Sequence, residues 1–229
     1  MVALIGASGS GKSTLLRHVS GFVAGDAGSG PLRVDANLMQ QDGRISPRIR
    51  RLRADVGFVF QQFNLVGRLS VMTNVLMGQL PRIPAWRSLL ARFTQAEKEE
   101  AWRAMKAVGI ENLAWQRAST LSGGQRKLLE MARALMTEPS LVMLDEPMAG
   151  VNPALTQSLL GHVKELRDEG MSVIFVEHDM DVVRDISDWV VVMAEGSIIA
   201  EGTHDDVTGN PQVIDAYLGT DHGEAAADA

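Results

Sequence analysis

Residues 6–14 read Gly6-Ala7-Ser8-Gly9-Ser10-Gly11-Lys12-Ser13-Thr14, directly behind the apolar run Val2-Ala3-Leu4-Ile5. The pattern is GxxxxGK[ST] with a strand-like run before it and a helix-like stretch after it, the context that a phosphate-binding loop requires. Gly6, Gly9 and Gly11 let the backbone turn tightly and bring its N–H groups up to phosphate oxygens. Lys12 supplies a positive charge to β- and γ-phosphates, and Ser13 offers a hydroxyl to Mg2+. The helix that opens near Ser13 aims its dipole at the same anion.

Outward from this loop, the pattern predicts an α/β chain. A strand is expected at Met1–Ile5 and a helix at Ser13–Gly21, followed by a glycine-rich loop at Ala24–Gly30. Val56–Phe60 is short and apolar enough for a second strand. Leu69–Leu80 reads as helical, Pro81 and Pro84 break the pattern, and Trp86–Phe93 resumes it. Thr94 followed by Glu97 is a capping box opening a helix to about Val108. A helix over Ser122–Met136 carries Leu128, Met131, Ala132 and Leu135 on one stripe. Strands are expected at Leu141–Leu144, Ser172–Val176, Trp189–Ala194 and Ile198–Ala200, with a helix at Pro153–Glu169. Strands and helices alternate at the two ends, and the middle is helical. The expectation is one domain over 1–219, a mainly parallel sheet in a core of 1–65 and 138–219 with a helical lobe inserted at about 66–137. The small, acidic tail at 220–229, with Asp221, Glu224 and Asp228, is expected to be disordered.

Composition bounds the function. The 229 residues are 45% hydrophobic and 22% charged, with a net charge of −6, which argues against nucleic-acid binding by a basic surface. The absence of cysteine excludes disulfides and thiolate metal sites. No apolar run approaches the ~18 residues of a membrane helix, and no basic stretch precedes the N-terminal apolar run as in a secretory signal.

Four further features make sense around a nucleotide. Leu141-Val142-Met143-Leu144-Asp145-Glu146 fills a strand with apolar residues and delivers two carboxylates at its C-terminal end, where α/β sheets bind ligands. Asp145 is placed to hold Mg2+, and Glu146 to polarise an attacking water beside the γ-phosphate. Leu121-Ser122-Gly123-Gly124-Gln125 offers an N-cap serine and two small residues at a second anion-binding helix terminus. One γ-phosphate does not need two cradles from one small domain, so a second copy of the chain is implied. Gln61, just after the second strand, can contact the metal or the water, with Gln62 beside it an equal candidate. His178 follows the strand Ser172–Val176 and can hydrogen-bond the γ-phosphate.

In this order, the phosphate loop, Gln61, LSGGQ, LVMLDE and His178 resemble the ATP-binding subunit of an ABC transporter over nearly the whole chain. The resemblance implies an ATPase using ATP and Mg2+. It implies a head-to-tail dimer in which Gly6–Thr14 of one subunit meets Ser122–Gln125 of the other. It assigns Gln61 rather than Gln62 to the loop linking core and lobe, counts Gln61 with Ser13 and Asp145 at the metal, and puts Ala149–Asn152 across the dimer interface. Its implied partners are a second ATPase subunit, membrane-spanning permease subunits and, indirectly, a periplasmic or lipid-anchored solute-binding protein, with no nucleic acid. Its implied location is the cytoplasmic face of the bacterial plasma membrane. A nucleotide-binding fragment and a soluble ABC ATPase without a transport role are the alternatives.

Two departures qualify the resemblance. Family members carry antiparallel strands and an adenine-stacking aromatic ahead of the phosphate-loop strand. Nothing precedes Met1, and the only tyrosine, Tyr217, is at the other end. The expectation is a chain without those strands, in which base selectivity is loosened more than phosphate binding. In addition, residues 1 to about 126 resemble the phosphonate importer ATPase, whereas the remainder, including Asn152, resembles the branched-chain amino acid importer ATPase. Because lobe and Gln61 loop contact the permease in such proteins, phosphonate or a related oxyanion is the favoured solute. The arginines 44, 48, 50, 51 and 53 read as a solvated helix face or as a cluster facing anionic lipid or a membrane partner. Core packing is the default for Trp86, Leu89, Leu90 and Phe93, a docking patch the alternative.

Overall fold

The computed structural model describes residues 1–216, without the side chains of Pro153 and Ala154; the acidic tail and Tyr217 lie outside the described residues. In chain order, strand β1 (Val2–Ile5) leads through the glycine-rich loop into helix α1 (Lys12–Val19). Three short strands follow, β2 (Leu32–Val34), β3 (Asn37–Gln41) and β4 (Arg44–Ile45), then α2 (Ile49–Leu52) and β5 (Val56–Val59). The next stretch is helical: α3 (Val71–Leu76), α4 (Ala85–Leu89), α5 (Gln95–Ala107) and α6 (Gly123–Leu135). The chain then runs through β6 (Leu141–Asp145), α7 (Pro153–Asp168), β7 (Ser172–Val176), α8 (Met180–Ile186), β8 (Trp189–Ala194), β9 (Ser197–Gly202) and α9 (His204–Thr208).

Six strands form one sheet in the order β5-β6-β7-β1-β8-β9, parallel except for the antiparallel β8–β9 pair. The order decides where chemistry can sit. β5, β6, β7 and β1 are adjacent and point the same way, so the loops after all four emerge along one edge. Register sharpens this: Asp145 lies opposite Val176, and Leu4 lies opposite the same residue from the other side.

Strand alternation builds two core layers. Ala3, Ile5, Val142 and Leu144 face α7 and α8 and join a cluster that continues through Val71, Val75, Met105 and Leu129 into the helical stretch. Leu4, Leu141 and Met143 point the other way, onto Leu16 of α1 and Met39 of β3. Helices α3, α5 and α6 pack on one another. Their N-termini carry side-chain caps: Ser70 at α3, which the sequence reading placed inside the helix, and at α5 and α6 the expected Thr94–Glu97 capping box and Ser122.

Several expectations need correction. The antiparallel sheet β2-β3-β4 was not foreseen, because its strands are only three, five and two residues long. The helix expected at Leu69–Leu80 shortens to Val71–Leu76 plus a single 3-10 turn, and Trp86–Phe93 shortens to Ala85–Leu89. Core packing fails for Trp86, Leu89 and Leu90, which are 60%, 87% and 59% exposed, whereas Phe93 is half-buried. The arginines do not form one solvated face. Arg44 lies in β4, while Arg53 turns inward, donating to the carbonyls of Ser20 (3.1 Å) and Gly21 (2.5 Å) and lying 4.2 Å above the Phe22 ring.

Candidate active site

The loop between β1 and α1 carries Gly6, Ala7, Ser8, Gly9, Ser10 and Gly11, and α1 begins at Lys12 itself. Gly9 and Gly11 adopt φ of +81° and +100°, which an L side chain resists. Gly6, at φ +145°, carries a second constraint as well: a Cβ there would stand 2.0 Å from the carbonyl oxygen of Met193 in β8. A Cβ on Gly9 would meet nothing within 4 Å, so its backbone conformation and not crowding is what calls for glycine there. The Lys12 ammonium folds over this loop onto the carbonyls of Gly6 (2.7 Å) and Ala7 (2.9 Å) and onto Ser10 Oγ (3.3 Å). Burial lowers its pKa, against the pull of the Glu146 and Asp145 carboxylates.

β6 delivers the carboxylates. Asp145, 1% exposed, accepts a hydrogen bond from Ser13 Oγ at 2.9 Å. Burial raises its pKa, with the Ser13 bond opposing. Hydroxyl plus carboxylate is a hard-oxygen donor pair of the kind Mg2+ takes, with phosphates and water completing the shell. Among the described residues no group of three His, Cys, Asp or Glu forms a self-sufficient metal site. Gln61, by contrast, reaches Glu146 rather than Asp145.

Glu146 is where the separate strand ends converge. Gln61 Nε2, from the loop after β5, donates to Glu146 Oε2 at 2.6 Å. His178 Nε2, from the end of β7, lies 2.9 Å from Glu146 Oε1. Glu146 sits at φ +49°, an unfavourable region for a non-glycine residue. Its N–H donates to Val176 O at 3.2 Å, the last rung of the β6–β7 pairing at Asp145 and Val176, and this bond helps to hold that conformation. Gln61, not Gln62, is therefore the glutamine that contacts Glu146.

Ser122, Gly123, Gly124 and Gln125 form the first turn of α6 and its cap. Ser122 Oγ accepts from Gln125 N at 3.3 Å and Gln125 Oε1 from Ser122 N at 2.9 Å. Among the described residues, no hydrogen bond joins this turn to Gly6–Thr14. Gly124 serves packing within the chain: a Cβ there would lie 1.8 Å from Leu155 Cδ2 of α7.

Two groups escaped the sequence reading. Glu177, 6% exposed, accepts from Met148 N at 3.0 Å and from His178 N at 3.4 Å, so it ties the loop after Glu146 to the His178 turn. Lys127, Glu130 and Arg133 of α6 face the Gln61 loop instead of solvent. Their spacing of three puts them on one helix face beside the apolar stripe, a signal available in the sequence but indistinguishable there from a solvated face.

A parallel sheet with a glycine-rich phosphate cradle and paired carboxylates at one edge defines a P-loop nucleotide-binding protein. A family model described as ABC transporter matches residues 1–149, and one described as branched-chain amino acid ATP-binding cassette transporter matches residues 197–223. The chain is 48% identical over 203 residues to the phosphonates import ATP-binding protein PhnC 1 of Cupriavidus metallidurans, covering 88% of this chain and 72% of that protein. It is 43% identical over 230 residues to PhnC 2 of Cupriavidus necator, covering 100% and 80%. Its fold is similar to the ADP conformation of the ATP-binding cassette MJ1267, with a TM-score of 0.80 at 32% identity over 96% of this chain and 87% of that one. A dimeric structure of the cassette MJ0796 gives 0.75 at 26% identity, over 89% and 85%. The chain belongs to the ABC transporter family, as one of its ATP-binding, ATP-hydrolysing cassettes.

Proposed function

We propose that this cassette drives an importer for a phosphonate or related oxyanion, working as a dimer beneath separate permease subunits at the cytoplasmic membrane face. The observation that carries the catalytic reading is the grip of Gln61 and His178 on the two oxygens of Glu146. In this reading Glu146 is the general base. Each of its oxygens keeps a second lone pair for the attacking water, while the amide and imidazole fix its orientation. A neutral imidazole has one N–H, so His178 would turn this donor from Glu146 to the transferred phosphoryl group when nucleotide is bound. Lys12 exchanges its three oxygen partners in the loop for β- and γ-phosphate oxygens. Ser13 and Asp145 would hold Mg2+, which neutralises phosphate charge when bound. Ser122–Gln125 completes the site of the second subunit.

The phosphonate assignment rests on the named relatives, which align over most or all of the chain. The match of residues 197–223 favours a second reading, import of branched-chain amino acids. The aromatic cluster Phe22, Phe58 and Phe60, continuous with the Gln61 loop, is a suitable permease contact because nucleotide state would reach it directly.

Glu146→Gln tests the catalytic reading. It should retain ATP binding, slow hydrolysis by ~10²-fold or more, and accumulate an ATP-bound dimer in size-exclusion chromatography. Hydrolysis at the parental rate would overturn it. Stimulation of the ATPase by phosphonate-type but not branched-chain-type permease complexes tests the solute.

A further inference from the structure

The segment around α4 does something the nucleotide site does not require. Trp86, Leu89 and Leu90 are spaced i, i+3, i+4, share one face of the helix and point into solvent, with Leu89 87% exposed. The segment is not loose. The Arg87 guanidinium donates to the Arg92 carbonyl at 3.2 and 3.1 Å and pairs with Glu97 at 2.6 Å. Glu97 in turn accepts from Thr94 N at 2.7 Å, and buried Ile83 anchors the entry. An ordered scaffold thus holds three large apolar side chains outward, where burial contributes nothing until something covers them.

The surrounding charge says what covers them. Between Leu80 and Lys98 the cations are Arg82, Arg87, Arg92 and Lys98; Arg82 pairs with Asp55 at 3.3 Å and Arg87 with Glu97, the only acid of the stretch, which leaves Arg92 and Lys98 without an ion pair among the described residues. Arg50, exposed on α2, reaches the Leu80 carbonyl at 3.4 Å and adds a further cation at the entry to this segment. This local excess of positive charge runs against the net charge of −6 for the chain. Trp86 lines an open depression of about 460 Å³ together with Arg87, Arg92 and Lys98, so the apolar edge and the cations share one surface. An exposed Trp-Leu-Leu edge rimmed by long cationic side chains matches the chemistry of a headgroup–acyl boundary carrying anionic phosphate.

We propose that Trp86, Leu89 and Leu90 insert shallowly into an anionic lipid surface while the adjoining arginines engage its phosphates. The contact orients the cassette on the bilayer independently of the permease. None of these side chains belongs to the nucleotide site, so a failure here leaves the ATPase reading untouched.

The test is flotation of the full chain with phosphatidylglycerol–phosphatidylcholine vesicles and with phosphatidylcholine alone. Binding should require phosphatidylglycerol, weaken in high salt, and fall ~10-fold or more in Trp86→Ser/Leu89→Ser/Leu90→Ser. The same variant should keep the parental thermal midpoint and basal ATPase rate. Replacing Trp102, Trp115 and Trp189 with Phe leaves Trp86 as the only tryptophan; its emission should shift to the blue on binding and be quenched by brominated acyl chains. Absence of binding, unmoved Trp86 emission or undiminished binding by the triple variant overturns the proposal. A triple variant that floats normally but no longer assembles with permease in detergent overturns it too, and assigns the edge to a protein contact.

Discussion

Lys127 of α6 donates to the backbone carbonyl of Gln61 at 2.9 Å, and its ammonium also reaches the Phe60 carbonyl at 2.6 Å. The helix that begins with Ser122-Gly123-Gly124-Gln125 is therefore bonded directly to the loop that presents Gln61 to Glu146. Glu130 strengthens the link: its Oε1 accepts from Asn64 N at 2.7 Å, and it lies 3.9 Å from Lys127 and 3.8 Å from Arg133. Burial lowers the Lys127 pKa and raises that of Glu130, and each charge opposes the shift of the other. Any displacement of α6 must move the Gln61 loop or break this set.

Lys127→Met should show that dependence. The substitution nearly preserves volume but leaves two carbonyls unpaired and Glu130 with one fewer counter-charge. Removal of one partner of a buried pair costs about 3–5 kcal/mol, readable as a lower urea midpoint. ATPase should fall along with stability, and Lys127→Arg, which keeps donors and charge, should recover much of both. An unchanged midpoint in Lys127→Met would deny the network any structural weight.

Gly124→Ala addresses the close approach of α6 and α7. The added methyl would overlap Leu155 Cδ2, and overpacking of this kind costs ~1–3 kcal/mol. Because the obstructing atom is the end of a side chain, Leu155→Ala should rescue Gly124→Ala. The double-mutant cycle measures that coupling, and strict additivity would contradict the steric account.

These contacts mark the limit of what the sequence discloses. Gly6–Thr14 and Leu141–Glu146 were legible because each motif is contiguous and each follows an apolar strand, so local pattern and chemistry agree. Gln61 and His178 were legible only as residues following strands; that both grip Glu146 depends on the β5-β6-β7 neighbour order, which no local pattern encodes. The hairpin β3–β4 did leave a mark. Asp42-Gly43 is its two-residue turn, with φ of +51° and +68°, a strong hairpin signal. It went unread because the strands beside it are too short for alternation to register. Exposure of Trp86 and Leu89 defied the expectation that large apolar residues are buried, as functional surfaces do. Lys127, Glu130 and Glu177 look like ordinary surface charges until the tertiary structure buries them.

Glu177 makes a pH-dependent prediction. Burial raises its folded-state pKa, with the bonds from Met148 and His178 opposing. A carboxyl whose pKa is higher folded than unfolded binds more protons in the native state, so stability falls as pH rises from the ordinary Glu value through the raised one. Glu177→Gln removes that titration while keeping an acceptor for Met148 N. Against the parent, the variant should show a shallower loss of unfolding free energy across that window, by up to ~1.4 kcal/mol per pH unit. Denaturant unfolding of both proteins over the series measures it, and parallel curves would mean that Glu177 titrates normally.

The last prediction concerns where the second anion cradle acts. Lys12 and Ser122 belong to cradles that share no hydrogen bond within the described chain, yet both are suited to one γ-phosphate. In a head-to-tail dimer, each site takes Lys12 from one subunit and Ser122 from the other. Lys12→Ala removes the phosphate-loop charge, and Ser122→Arg fills the second cradle with a bulky cation; either homodimer should be inactive. In a mixed dimer both defects fall in one site, and the other keeps an intact Lys12 and an intact Ser122. Equal mixing makes half of the dimers mixed, with one sound site each, so recovery should approach but not exceed about a quarter of the parental rate if sites act independently. Activity should rise with the square of protein concentration where monomer dominates. Parental turnover per chain in a demonstrated monomer, or mixtures as inactive as either component under conditions where mixed dimers are detected, would refute the shared site.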